Sequence, residues 1–166
     1  MRPVALVTLL IGLLLAVAVP ALAGEVRWQG WDAGLSSARA NKRYILVDVY
    51  TDWCGWCKRM DKDVYAREDV SDYLNKRFTS VKLNAESNQA MSYQGEARTA
   101  RGIAGGFHVN SYPTTIFLTA EGEHLTNVPG YVPADRFLLL LRFIGDGHME
   151  KGVSWAEYVA RAGAAK

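Results

Sequence analysis

The stretch that most restricts what this chain can become is Tyr44-Ile45-Leu46-Val47-Asp48-Val49-Tyr50, followed after Thr51 by Asp52-Trp53-Cys54-Gly55-Trp56-Cys57-Lys58. The first part is a near-continuous apolar run rich in β-branched and aromatic residues, which reads as a central strand buried on both faces. The second holds the only two cysteines of the chain, at a strand-to-helix junction. If Gly55 to Arg59 opens a helix, positions i and i+3 share a face of its first turn. Their Cα atoms can then approach to the about 4.4–6.8 Å that a disulfide needs. Cys54 stands at the helix N-terminus, where unpaired N–H groups and the dipole favour a thiolate. The chemistry implied is reversible thiol–disulfide exchange: Cys54 attacks from the exposed side, and Cys57, one turn deeper and shielded, resolves the mixed disulfide.

Paired cysteines in an exported protein are more often a structural staple. Here the closed loop is so short that it removes little entropy from the unfolded chain, so the bridge stabilises weakly. A redox role is the better reading.

Export itself is read from residues 1–23. Arg2 supplies a positive n-region, Val4 to Val19 an apolar stretch, and Ala21-Leu22-Ala23 a small-residue cleavage site before Gly24. That is the pattern of a secretory signal peptide. An uncleaved anchor is the alternative, but the run is short for a membrane span, and Pro20 with the small residues favours cleavage after Ala23. The remainder, 24–166, is long enough for one packed domain. Nineteen basic against seventeen acidic residues give a formal charge of only +2. So near-neutral a body has no electrostatic footprint for nucleic acid, and no basic amphipathic stretch suggests a membrane surface.

Along the chain, Trp28 and Trp31 are expected to pack onto the body, and Asp32 to cap a helix running to about Lys42. A helix from Lys58 to about Arg67 places Met60, Val64 and Tyr65 inward, and Asp69 caps a second piece over Val70 to Lys76. Phe78 to Leu83 is a strand. The region from Asn84 to Asn110 is least readable, with a helix over Glu96 to Ile103 ended by glycines that lack the spacing of a phosphate loop. Thr114 to Thr119 and His124 to Val128 form a hairpin around Glu121-Gly122-Glu123. Pro133 to Ile144 is a helix with Phe137, Leu140, Leu141 and Ile144 on one face, and a short helix follows from Ser154 to Arg161. The expected core spans about 32–145. The order implies an α/β fold, a central mixed sheet flanked by helices on both faces.

With these landmarks in place the chain resembles the thioredoxin family over roughly Tyr44 to Ile144. The carriers are the apolar strand with its acid and the Trp-Cys-Gly-x-Cys-Lys signature, Val81-Lys82-Leu83-Asn84, Tyr112-Pro113-Thr114 and Gly130. The half from Leu125 to Ile144 is also similar to thioredoxin-like proteins associated with bacterial sulfur oxidation. Two features depart from the family pattern. Trp56 replaces the usual proline between the cysteines, and the connection from Asn84 to Tyr112 is longer than in a minimal thioredoxin.

The resemblance implies a thioredoxin fold and roles for particular residues. A carboxylate inside a buried strand is costly unless paired or neutral; the resemblance places Asp48 beneath Cys57, where it would exchange that thiol's proton. The alternative is an acid satisfied by local hydrogen bonds. Lys82 resembles the lysine beside this acid, or is an ordinary strand lysine. Lys58 either stabilises the thiolate or, more commonly for such a residue, is merely solvated. Tyr112-Pro113 resembles the cis-proline segment beside the disulfide, where the Tyr112 backbone would pair with an extended substrate. Trp53 and Trp56 flank the cysteines as an apolar docking rim.

The function implied is a periplasmic thiol–disulfide oxidoreductase, a monomer working as reductase or electron carrier on disulfide-containing exported proteins. Because the periplasm is held oxidising, it needs a membrane electron donor. No cofactor is expected. A Cu(I)-binding or metal-centre assembly module using the same cysteine pair is the alternative. His108, His124 and His148 show no ligand spacing for zinc, and Lys58 after Cys57 excludes covalent c-type haem attachment by motif.

Overall fold

A computed structural model describes residues 24–164 of the chain. The expected leader, residues 1–23, lies outside the described residues. The elements in order are β1 (Trp28–Gln29), α1 (Trp31–Asn41), β2 (Tyr44–Tyr50), α2 (Gly55–Met60) running into a π-helical turn (Asp61–Tyr65), α3 (Glu68–Arg77), β3 (Phe78–Asn84), β4 (Ala90–Tyr93), β5 (Glu96–Thr99), α4 (Ala100–Gly106), β6 (Thr114–Leu118), β7 (His124–Pro129), α5 (Ala134–Gly145) and α6 (Trp155–Ala164). The five-stranded sheet has the order β1-β3-β2-β6-β7. β1 and β2 run parallel to β3, while β6 is antiparallel to β2 and β7 to β6.

Strand alternation divides the apolar residues between two cores. On one face Leu46, Phe78 and Phe117 meet Met60, Val64, Leu74 and Phe137, so α2, α3 and α5 cover this side. On the other, Ile45, Val47, Val49, Val81 and Ile116 meet Trp31, Ala38 and Ile103, from α1 and α4. This double cover explains why β2 reads as a continuous apolar run rather than an alternating one. The one polar exception, Asp48, points with Leu46 into the first core. The mixed sheet with helices on both faces is the expected architecture.

Close packing of α1 on the sheet requires Gly34. A Cβ built there would stand 2.3 Å from Val81 Cγ2, far inside van der Waals contact, so only glycine fits.

Several local expectations are corrected. Asp32 does not cap α1; Gly30 is the N-cap, and the Asp32 carboxylate accepts from the Ser92 N–H at 2.8 Å. α3 begins at Glu68 after Arg67 instead of being capped by Asp69. The helix expected over Glu96 to Ile103 is a strand as far as Thr99 and helix only from Ala100. Together with β4 that strand forms a two-stranded antiparallel hairpin turning at Gln94-Gly95, both with positive φ (53° and 80°). Trp31 anchors this hairpin, its indole Nε1–H donating to Ser92 O at 2.9 Å. α6 packs on α5, with Trp155 and Tyr158 against Phe143 at ring-centroid distances of 5.4 and 5.3 Å.

Candidate active site

Where β2 ends, the chain turns once and enters α2. The Cys54 N–H donates to Thr51 O at 3.1 Å, which fixes Cys54 as the N-cap of the helix. Its sulfur accepts the Cys57 N–H at 3.0 Å, so the cap uses sulfur where serine or aspartate would use oxygen. Cys54 and Cys57 are joined, Sγ to Sγ 2.14 Å and Cα to Cα 5.3 Å. The expected difference in exposure between them is not found: each is 4% exposed. The i, i+3 spacing that lets the sulfurs meet also puts both on the inner face of the helix, in line with buried Met60.

Around this covered disulfide the surface is aromatic. Trp53 is 67% and Trp56 54% exposed, values unusual for tryptophan. Trp53 meets Tyr112 edge-on at 5.9 Å. Trp56 lies 5.4 Å from Tyr131, and the Arg59 guanidinium stands over both rings at 5.3 and 5.8 Å. The Tyr112–Pro113 peptide bond is cis. Pro113 is buried, and its carbonyl accepts from the Gly130 N–H at 2.7 Å. Gly130 has φ +83°, a conformation open to glycine at little cost. Lys58 is exposed and forms none of the ion pairs found among the described residues.

Beneath the helix, Lys82, Asp48 and Thr115 stand side by side in one row across β3, β2 and β6. Asp48 is 1% exposed. Its Oδ2 accepts from Lys82 Nζ at 2.6 Å, and the same ammonium donates to Asp61 Oδ1 at 2.5 Å. Asp61 begins the π-helical turn and donates its N–H to the Cys57 carbonyl, so the charge row is tied to the cysteine helix one turn beyond Cys57. Lys82 also lies over the Trp28 ring at 4.6 Å, a cation–π contact that offsets part of its burial. Burial pushes the Asp48 carboxyl above the usual carboxylate range, and the Lys82 charge opposes that rise without cancelling it. Burial pulls Lys82 down, but its two carboxylate partners outweigh burial and hold it above its ordinary value.

Sequence reasoning did not single out Asp61 or Tyr65. Tyr65 is buried, and burial, then the charge of Asp48, hold its phenol well above the ordinary range. The available signal was helical position: Asp61 follows Cys57 by four residues, hence by one turn.

The sequence profile described as a thioredoxin-like domain matches residues 31–145, well over half of the chain and every residue of this site but Trp28. Among curated proteins, the thiol:disulfide interchange protein DsbD 2 of Pseudomonas aeruginosa is 30% identical over 109 residues, covering 64% of this chain and 17% of that protein. DsbD of another Pseudomonas is 28% identical over 116 residues, covering 69% and 18%. The chain thus spans under a fifth of the length of these relatives. Among solved structures, a thioredoxin-fold protein from Helicobacter pylori superposes with a TM-score of 0.61 at 23% identity, covering 75% of this chain and 82% of that one. On the profile match, and with the fold and cysteine pair described above, the chain belongs to the thioredoxin-like family.

Proposed function

We propose that the protein is an exported thiol–disulfide oxidoreductase that reduces disulfides in other exported proteins. The observation that carries this reading is the Cys54–Cys57 disulfide at the N-terminus of α2, beside an exposed aromatic rim and a cis-proline segment. In the reduced protein the Cys54 thiolate attacks one sulfur of a substrate disulfide. A mixed disulfide forms and the substrate's other sulfur leaves as thiolate. Cys57 then loses its proton to Asp48 and attacks the Cys54 sulfur, releasing the second substrate sulfur. Two electrons pass to the substrate, and the protein is left in the closed, disulfide-bonded state described above. A membrane protein bearing a dithiol returns it to the reduced form.

In this reading residues 1–23 are a leader removed after Ala23, residues 24–166 work as a monomer in the periplasm, and no cofactor takes part. Trp53, Trp56 and the Tyr112 backbone receive the substrate segment next to Pro113. Lys82 supports Asp48. The relatives' names as disulfide interchange proteins support the chemistry, not a particular partner.

A redox titration of the Cys54–Cys57 pair against glutathione or dithiothreitol tests the direction of flow. A potential near about −270 mV supports a reductase, and one near about −120 mV reverses the assignment to an oxidant. Cys57→Ser is expected to trap mixed disulfides on Cys54. Normal disulfide reduction by Cys54→Ser would overturn the mechanism, and stoichiometric Cu(I) binding without turnover would favour the metal-carrier alternative.

A further inference from the structure

The loop Pro129-Gly130-Tyr131 links the surroundings of the disulfide to a groove that the reaction above leaves unused. Its Gly130 N–H donates to the Pro113 carbonyl at 2.7 Å, and its Tyr131 ring lies 5.4 Å from that of Trp56. The residues that flank the loop, Val128 and Val132, both line the groove. From there the groove follows α5, whose Arg136, Leu140 and Phe143 also line it; at i, i+4 and i+7 they share one helix face. The far wall is the C-terminal segment, with Met149 and Trp155, the latter held against Phe143 at 5.4 Å. The enclosed volume is about 430 Å³, within the range of ligand sites.

Apolarity and charge say what such a groove takes. Among the described residues four large apolar side chains are exposed: Trp53, Trp56, Met149 and Val159. Two of these form the rim at the cysteines and a third belongs to the groove. Contiguous exposed apolar surface marks an interaction site, and here it passes from rim to groove through Tyr131 and Val132, both half-buried. The one charged side chain of the lining is Arg136, which is exposed and enters none of the ion pairs found among the described residues. Its neighbour Asp135 does not neutralise it, being held by Arg67 at 2.5 Å. The trough is thus apolar, with one cation at the end that follows Tyr131.

We propose that this groove is a docking subsite for the disulfide-bearing substrate protein, whose chain meets Arg136 with an acidic residue and lays apolar side chains along Leu140 and Phe143 while its disulfide faces Cys54. The inference rests on the reduction of protein disulfides proposed above and adds no chemical step to that exchange. Helix geometry sets the length of the match. Arg136 and Phe143 are separated by about 10 Å of helix at 1.5 Å per residue, which an extended chain covers in about three residues. The order along the substrate is therefore disulfide, acid, then about three apolar residues.

The test uses synthetic peptides that carry one intramolecular disulfide and a tail of two glycines, an aspartate and three leucines. The tail leaves the N-terminal side of the ring in one peptide and the C-terminal side in another. Control peptides replace the leucines by serine, or the aspartate by asparagine. Wild-type protein is expected to reduce the leucine-tailed peptide of one polarity with kcat/KM about tenfold above its serine control, the worth of about one buried leucine. Asparagine in place of aspartate should cost about threefold, the scale of an exposed ion pair. Arg136→Glu should reverse that preference and favour a lysine at the same tail position, a rescue that a merely structural arginine would not give. Leu140→Glu should bring the leucine-to-serine ratio close to one.

Equal kcat/KM for leucine and serine tails of both polarities in the wild type would overturn the proposal, as would a ratio that Leu140→Glu leaves intact. A wild-type dimer in light scattering that Leu140→Glu splits would overturn it too, since a second copy would then fill the groove. If Leu140→Glu does not fold, the charge swap at exposed Arg136 decides: an unreversed preference overturns the proposal. Reduction of all peptides at equal rates removes only the groove, whereas reduction of none removes the underlying reading. In that last case the methyl NMR shifts of Leu140 and Met149 on adding a cysteine-free leucine tail decide the groove: shifts support it as a peptide subsite, and their absence overturns it.

Discussion

Lys82 holds its ammonium 2.6 Å from the carboxylate of Asp48, a cation and an anion side by side on neighbouring strands of the sheet. Removing one partner of a buried pair leaves the other uncompensated, which costs about 3–5 kcal/mol. Lys82→Met should therefore destabilise the protein by about 3 kcal/mol at pH 8. The loss should shrink as the pH falls, because Asp48 without its cation takes up a proton more readily. Urea unfolding at pH 5 and pH 8 measures this, and Asp48→Asn in the same background should recover most of the loss.

Asp48 alone has a definite pH signature. Its folded pKa lies above the ordinary carboxylate value, so between those two values the folded protein binds more protons than the unfolded one. Stability then falls as pH rises through that window. Asp48→Asn should flatten this part of the stability curve and be no less stable than wild type at pH 8. The same substitution should slow disulfide reduction by about 100-fold, the lower end of what a positioned proton acceptor contributes. Thermal melts across pH and insulin-reduction rates check both halves.

Gly34 offers a test of packing independent of the chemistry. In a solvent-exposed helix Gly→Ala stabilises by about 0.5–1 kcal/mol. Here the new methyl would overlap Val81, and overpacking costs about 1–3 kcal/mol. Gly34→Ala should lower stability in chemical denaturation, and Gly34→Ala with Val81→Ala should regain part of it.

The exposed indole of Trp56 should contribute to partner docking rather than to the fold. Trp56→Ala is expected to raise KM for a protein disulfide several-fold, with kcat and the reduction potential little changed. Stability should fall by about 1 kcal/mol at most, from its contacts with Tyr131 and Arg59. Steady-state kinetics with a protein substrate and with a small disulfide distinguish these effects; only the former should respond.

What could be read in the sequence followed the strength of burial. β2 is covered on both faces, so its composition announces it, and the cysteine spacing fixes the start of α2. β6 and α5 carry equally plain patterns. The β4–β5 hairpin does not. Ala90 to Tyr93 and Glu96 to Thr99 are largely exposed, so the only apolar alternation is the pair Met91 and Tyr93, too short to mark a strand, and the two-residue Gln94-Gly95 turn was the other cue. β1 is two residues long and owes its pairing to β3. At the site, the cysteines and Asp48 stood out because each is a residue type out of keeping with its surroundings. The shielding of Cys54 did not, since it depends on which helix face meets the sheet. Asp61 and the Tyr65 hydroxyl were hidden because they look like an ordinary surface acid and an ordinary core aromatic.

The π-helical turn after Met60 sets the phase of everything that follows it. An α-helix advances about 100° per residue, and the wider turn takes in an extra residue without ending the helix. Val64 and Tyr65 are adjacent yet both buried, which the broader inward face of that turn allows. The segment from Asp61 to Tyr65 is thus intolerant of length change in a way a surface loop is not. Deleting one residue would swing the phenol away from the sheet and turn α3 against its packing partners, leaving the cysteines in place but altering the floor beneath them.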